Sequence, residues 1–433
     1  MKNINEREIA VFAMMDIVGD GGYNNIVLNR ALNKLDDVPQ ASRGMVTELV
    51  NGSLRNLLLI DYVIGLYSKT PVKKMKPLIK NILRLSVYQI MFMDRVPDSA
   101  ACNEAVELAK AKGFAGLSGF VNGVLRAVIR GKGDIAYPDR KKGEEEYLSI
   151  VYSHPKWLVE YWLSFMEAEA VESILEADNK TPEINICVNL SKTSPEKLID
   201  LLNEEGAKAE PATDCPNGLM LKGVSNLRKS KSFNNGFFHI MDTSSMKAVE
   251  LLNPQAGESI LDLCAAPGGK SFYAAILMEN KGKIAAMDIH EHKLELITNA
   301  AKRLGLDIIE AGDNNALGKN PNYFDAFDRV LLDAPCSGLG TLRKKPDARY
   351  KKSMEDVEAL AAMQKEMLAA AAGYPKIGGR LMYSTCTISV KENEENIAWF
   401  LENYPYKVEK QFSILPGEGT GDGFFAVCMI RKE

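Results

Sequence analysis

The sequence predicts a multidomain protein: an all-helical N-terminal region, a small α/β module, and a doubly wound α/β domain built on a mainly parallel sheet. Three observations predict it. The chain has 433 residues, more than one ordinary core holds, so two or three domains are expected. Residues 5–130 repeat apolar side chains at three- and four-residue spacing, as at Ile82, Leu85, Val87, Tyr88 and Met91. That is the period of a helix burying one face. From residue 243 strand and helix patterns alternate, which predicts parallel strands joined by crossover helices.

The N-terminal elements come first. Pro39, Pro71, Pro77 and Pro97 punctuate the helices near their starts, where the missing N–H costs least. Residues 1–130 therefore form the helical domain. GKGDIAYPDRKKGEEE, residues 131–146, is Gly-rich and charged and is expected as a linker. The α/β module, 147–240, opens with HPKWLVEYW, a helix with Pro155 in its first turn. INICVNL is a β-branched strand. SPEKLIDLLNEEG is a helix with Ser194 as N-cap and Pro195 at its first position. In residues 241–433 the strands are ESILDLC, GKIAAMDI, a short strand ending in EAGD, FDRVLLDAP and GGRLMYSTC. The helices are PGGKSFYAAILME, HEHKLELITNAAKRLG and SMEDVEALAAMQKEMLAAAAG. Sheets of this kind bind ligands at the carboxyl ends of their strands, where Asp262, Asp288, Asp333 and Cys386 all fall.

Composition narrows the function classes. No run of eighteen apolar residues occurs, so no membrane partner is expected. The N-terminus MKNINEREIA carries acids and no apolar core, so no secretory leader is expected. Seven scattered cysteines, with no C-x-x-C and no zinc spacing, fit a reduced cytoplasmic chain without a metal. The net charge of −4 hides an asymmetry: residues 1–140 hold 19 basic and 14 acidic side chains, the remainder 34 and 43. A polyanionic partner responds to that distribution more than to the sum. Nothing in the pattern suggests a subunit interface, and a monomer is expected.

The turn LDLCAAPGGKS contains Gly-Lys-Ser but is no phosphate-binding P-loop. That pattern needs a glycine five residues before Gly269, where Cys264 stands. It is a tight small-residue turn that lets a ligand approach the backbone. Asp288 ends the next strand, about twenty residues on, where doubly wound folds place a carboxylate on ribose hydroxyls. Asp313, in EAGD, is a candidate for the adenine amino group. A small turn and two strand-end acids suggest an adenosine ligand without a pyrophosphate. The alternative is that both acids cap helices or end solvated loops.

A buried cysteine is usually a small hydrophobe, and Cys102, Cys187, Cys215 and Cys428 are read so. Cys336 and Cys386 differ, because both lie past strand ends on the ligand-binding face. Cys386 also precedes a helix start near KENEEN, and a helix N-terminus favours the reactive thiolate.

In order and spacing, LDLCAAPGGKS, MDIH, LLDAPCSGLG and YSTCT resemble the motifs of the RNA cytosine-carbon-5 methyltransferases. The stretch RLSVYQIMFMDRVPDSAACNEAVELAKAKGFAGLSGFVNGVLR resembles the helical domain related to the antitermination factor NusB. The resemblance implies a Rossmann-like catalytic domain that uses S-adenosyl-L-methionine, and small-subunit (16S) ribosomal RNA as the partner. It implies that Cys386 adds to ring carbon 6 of cytosine and that Cys336 assists release. Asp333 would hydrogen-bond the base edge and lie near the cofactor. Cys264, Ala265, Ala266, Pro267, Gly268, Gly269 and Lys270 would wrap the cofactor, with Asp288 on the ribose and Asp313 near the adenine. The alternatives are the same chemistry on another RNA such as tRNA, or a non-catalytic RNA-binding factor.

LRKKPDARYKK, residues 342–352, holds six basic residues against one acid. Beside an RNA cleft, Arg343, Lys344, Lys345 and Arg349 are expected to contact phosphates. Lys73, Lys74, Lys76 and Lys80 are a second basic group in the helical domain. The 147–240 module weakly resembles the family's RNA-binding insert. The chain departs from the family at Cys187, where arginine is common, and at Met241, where glutamine often precedes the aspartate. Both departures are expected to alter RNA contacts rather than the reaction.

Overall fold

The computed structural model describes residues 5–33, 40–222 and 227–433; Pro39 lies outside them. The chain divides into two compact units, residues 1–180 with 342–352, and residues 181–341 with 353–433.

The first unit is helical wherever it has regular structure among its described residues. At its centre runs Pro77–Phe92, with Pro77 in the first turn and twelve of sixteen residues buried. One apolar face cannot account for that. Five other helices, Glu6–Val18, Gln40–Arg55, Leu57–Tyr67, Asp98–Ala111 and Ser118–Gly131, pack around it. Its buried polar groups are therefore paired: Arg84 forks onto Asp61 at 2.6 and 2.7 Å, a bidentate geometry that suits a planar guanidinium. Gly52 is required where Tyr88 lies against its helix, because a Cβ there would meet the ring at 2.0 Å. Among the described residues no single helix is long and apolar enough to cross a membrane. One pair bent by 78°, Gln40–Arg55 with Leu57–Tyr67, has the length and composition, and its apolar side chains fill the helical core.

Glu144–Val151, Lys156–Leu163 and Ala168–Asn179 also belong to this unit. The sequence expects the second and third in the α/β module, and the first begins inside the expected linker. Their apolar faces, with Leu148, Trp162, Val171 and Leu175, are buried.

The basic segment 342–352 packs into the helical unit as well, and this corrects one expectation. Arg349 is fully buried. Its guanidinium donates to Asn179 Oδ1 at 2.9 Å and to the carbonyls of Asp178 at 3.2 Å and Ser153 at 3.3 Å. It is a structural tie, not a group that meets phosphate. Tyr350 donates to the Leu54 carbonyl at 2.8 Å, and Lys351 to the Gly22 carbonyl at 2.6 Å. Lys345 is exposed, while Arg343 and Lys344 are half-buried.

The second unit holds two sheets. Strands β1 (Ile184–Val188), β2 (Lys208–Pro211), β3 (Gly218–Lys222) and β4 (Phe238–Ile240) form an antiparallel sheet in the order β2-β3-β1-β4. Ser194 caps the helix Pro195–Glu204 by accepting from Lys197 N. The larger sheet is built from β5 (Ser259–Asp262), β6 (Lys283–Asp288), β7 (Ile309–Asp313), β8 (Phe327–Asp333), β9 (Pro375–Thr385), β10 (Tyr406–Ile414) and β11 (Phe424–Arg431). Its order is β10-β11-β9-β8-β5-β6-β7. Strands β5 to β9 are parallel, as the alternation predicts, and β11 and β10 add an antiparallel edge. The chain steps from β5 outward to β7 and then returns to β8 on the other side of β5. The crevice between the carboxyl ends of β5 and β8 is the switch point where such folds bind ligands.

Removing the Arg349 charge leaves several buried acceptors unpaired, at about 1–3 kcal/mol each. Arg349→Met is expected to lower the thermal unfolding midpoint of the full-length chain, and Lys345→Ala to leave it unchanged. Equal midpoints for the two variants would contradict the buried tie.

Candidate active site at the carboxyl ends of the central strands

The site begins with the turn between β5 and the helix Gly269–Leu277. Gly268 has φ +107°, and a Cβ on it would meet the Phe272 ring at 2.2 Å, so only glycine fits. The turn opens on a pocket lined by Cys264, Ala265, Ala266, Pro267, Gly269 and Lys270. Asp262 and Asp333 close it from the ends of β5 and β8, and Ile240, Met241, Asp242 and Ser245 from the end of β4 and the chain after it. Gly268 shapes the turn without lining the pocket.

Charge in the pocket is organised by Lys270. Its Nζ donates to Asp333 Oδ2 at 2.6 Å. Burial pulls the ammonium down, but the Asp333 carboxylate, with smaller help from Asp262 and Cys386, outweighs it and the pKa is raised, so Lys270 stays charged. Asp333 also accepts from Ser384 Oγ at 2.7 Å. Asp262 is buried, with Oδ2 accepting from Ser271 Oγ at 2.6 Å and Oδ1 without a partner among the described residues. Burial first, then the neighbouring Asp333, push it up to about 7. Cys264 is likewise held as a thiol, by burial and then by Asp262. The orphaned Asp262 oxygen and the close backbone of the turn are what a cationic, amine-bearing ligand needs. The residues present fit the adenosine-linked sulfonium that the family resemblance implies.

The two singled-out thiols meet. Cys336 Sγ and Cys386 Sγ are 3.3 Å apart, both half-buried. The hydrogen bond with Cys386, then burial, raise Cys336 well above the usual thiol range. The raised pKa favours the thiol form of Cys336, and either sulfur can donate across this contact. The Gly340 N–H donates to the Cys386 carbonyl at 3.1 Å. The helix near KENEEN starts only at Glu394, but its N-cap Asn393 folds back onto both neighbours of Cys386. Asn393 accepts from Thr385 Oγ1 at 2.6 Å and donates to the Thr387 carbonyl at 3.0 Å. Cys102, Cys187, Cys215 and Cys428 are buried.

Asp288 and Asp313 end β6 and β7 side by side, outside the pocket lining. Asp288 accepts from Ala266 N at 3.2 Å and from His290 N at 3.0 Å, so it ties the turn after β5 to the chain just past β6. A carboxylate has further lone pairs for a ligand. Asp313 is exposed. Sequence reasoning places Asp262 at the ligand-binding strand ends without giving it a role, and does not find Met241 and Asp242 as lining groups. Asp262 carries a signal, since it stands at a strand end. Met241 is legible only as a departure from the family pattern, expected to alter RNA contacts, and it lines this pocket. Among the described residues no group of three or more His, Cys, Asp or Glu is arranged to hold a metal.

Residues 249–430 match a family described as 16S rRNA methyltransferase RsmB/F. Residues 4–130 match the NusB family, and residues 154–228 the ferredoxin-like domain of RsmF/B-like methyltransferases. The chain is 38% identical over 453 residues to the probable ribosomal RNA small subunit methyltransferase B of Bacillus subtilis (strain 168), covering 100% of both. It is 34% identical over 433 residues to ribosomal RNA small subunit methyltransferase B of Proteus mirabilis (strain HI4320), covering 99% of both. The crystal structure of PH0851 superimposes with a TM-score of 0.82 at 28% identity over 99% of each chain.

Asp262 gives a pH-dependent prediction. Between the unfolded value of about 3.9 and about 7, the folded state holds a proton that the unfolded state has lost. Stability from this group is complete below the unfolded value and falls as pH rises through the folded one. Asp262→Asn is expected to gain stability relative to wild type as pH rises from about 5 to about 8. A thermal-midpoint difference that does not change with pH would contradict the assignment.

Proposed function

The chain belongs to the 16S rRNA methyltransferase family RsmB/F, and from that premise we propose that it methylates carbon 5 of a cytosine in small-subunit ribosomal RNA. The observation that carries this reading is the 3.3 Å pairing of Cys336 and Cys386, at strand ends beside Asp333. Transfer to an exocyclic amine or a protein side chain needs no thiol, and transfer to a ring carbon does.

Carbon 5 of cytosine is a weak nucleophile. Addition of the Cys386 thiolate to carbon 6 pushes the ring electrons toward nitrogen 3 and makes carbon 5 enamine-like, so one hard step becomes two easier ones. S-adenosylmethionine, held by Cys264–Lys270 with Asp262 and Asp333, supplies the electrophilic methyl group when bound. Asp333 is fixed by Lys270 and Ser384 to hydrogen-bond the base edge and steady the charge that develops there. The target base must be unpaired or flipped out to reach the sulfur.

Cys336 then has a changing role. In the resting site it holds its proton beside Cys386. Once Cys386 becomes a neutral thioether, the neighbour that most raises Cys336 is gone. Cys336 can lose its proton to water and, as a thiolate, accept the proton of carbon 5. The electron pair left behind restores the carbon 5–carbon 6 double bond and expels Cys386.

Labelled methyl transfer to unmodified small-subunit ribosomal RNA, naked or in particles, tests this. Wild type is expected to yield carbon-5-methylated cytidine on nucleoside digestion, and Cys386→Ala none. Activity retained in Cys386→Ala would overturn the thiol mechanism. Cys336→Ala is expected to accumulate a slower-migrating, nuclease-sensitive protein–RNA species under turnover conditions. Its absence there would remove Cys336 from the release step.

A further inference from the structure

The two thiols sit on separate loops, and something must hold both. Glu392 is fully buried. Its Oε2 accepts from Ser337 N at 2.9 Å and from Gln364 Nε2 at 2.9 Å, and its Oε1 accepts a short bond from Ser337 Oγ. Ser337 is the residue after Cys336, and Gln364 also donates to the carbonyl of Pro335 at 2.9 Å. Both neighbours of Cys336 are therefore tied to one carboxylate. Ser337 Oγ in turn lies 2.8 Å from Thr387 Oγ1, the residue after Cys386.

We propose that Glu392 is a positioning residue for the reaction, holding Cys336 and Cys386 at their working separation through Ser337 and Thr387. The proposal rests on the reading of the two thiols given above. A purely structural buried carboxylate would not need to bind both the backbone and the side chain of the residue beside a reacting thiol. Nor would it extend through that hydroxyl to the partner loop. The same charge also adds to the groups that keep Cys336 protonated, after Cys386 and burial. Misplacing reacting groups by about 1 Å costs on the order of 100-fold in rate, so a bond network with this reach has kinetic weight.

The test uses Glu392→Gln, which keeps an oxygen for Ser337 N and Gln364 and removes the charge, and Glu392→Ala, which removes the bridge. Methyl transfer is measured on the full chain. For Glu392→Ala, kcat is expected to fall about 10- to 100-fold with KM for RNA unchanged, and Glu392→Gln is expected to recover part of it. Ser337→Ala combined with Glu392→Ala is expected to cost no more than Glu392→Ala alone, because both act along one path.

A second readout needs no activity: capture of the thiol pair by phenylarsine oxide, which forms two As–S bonds and releases water. Capture is expected to slow in Glu392→Ala, with Cys336→Ala as the blank. If wild type transfers no methyl, the reading of the function fails while the capture rates still report on Glu392. If kcat and capture in both variants stay within about twofold of wild type, or if kcat falls only in step with the unfolded fraction, the positioning role is overturned.

Discussion

Asp333 accepts from Lys270 at 2.6 Å and from Ser384 at 2.7 Å, and those two bonds join three neighbouring strands at their carboxyl ends. Lys270 lies in the first turn of the helix that follows β5, Asp333 ends β8, and Ser384 lies in β9. Three residues past Asp333 stands Cys336, and two past Ser384 stands Cys386. One carboxylate thus sets the register of the cofactor turn against both thiol loops. It also separates the protonation states of the pocket. Two acids near one lysine in a buried site cannot share it equally. Lys270 pairs with Asp333, and Asp262 is pushed up to about 7 by burial and then by the Asp333 charge, against a smaller opposing pull from Lys270.

Around this joint the protein accepts an expensive arrangement. Glu392, Gln364, Asn393, Asn396, Thr385 and Thr387 are all essentially buried, and polar groups in such surroundings are costly unless paired. Here nearly all are paired. Tyr383 donates to the Glu392 carbonyl at 2.6 Å, and Asn396 donates to Gln364 Oε1 at 3.0 Å. A network of this kind is rigid because each member loses several bonds if one moves. Under the proposed reaction, rigidity matters most at the thiols, since a base arriving from solution would have to meet both.

The parallel strands are legible in the sequence because strands buried on both faces read as short apolar runs bounded by turns. β11, Phe424–Arg431, carries the same apolar signal, and β10 does not. Apolar cues are weak in Tyr406–Ile414, whose residues are mostly exposed or half-buried, and it is an edge strand that only pairing defines. The short strands β2, β3 and β4 escape a sequence reading because they too are defined by pairing. Arg349 misleads because charge in a sequence says nothing about burial. Its guanidinium finds partners 170 or more residues away, and no local pattern announces them. Met241 escapes a sequence reading as a pocket residue because its neighbour across the pocket, the Cys264–Lys270 turn, is more than twenty residues further along the chain.

By itself the sequence determined the helical and strand periods, the switch to alternating strand and helix after residue 243, and the chemistry standing at strand ends. Those properties are local: they depend on side-chain spacing and on which residues end each apolar run. The tertiary structure decided which ends are neighbours. It brought Cys336 and Cys386 within 3.3 Å across fifty residues of chain, gave Asp333 rather than Asp262 the lysine, buried Arg349, and recruited Glu392. Contact, burial and charge state depend on groups far apart in the chain, and they exist only once the strands have paired.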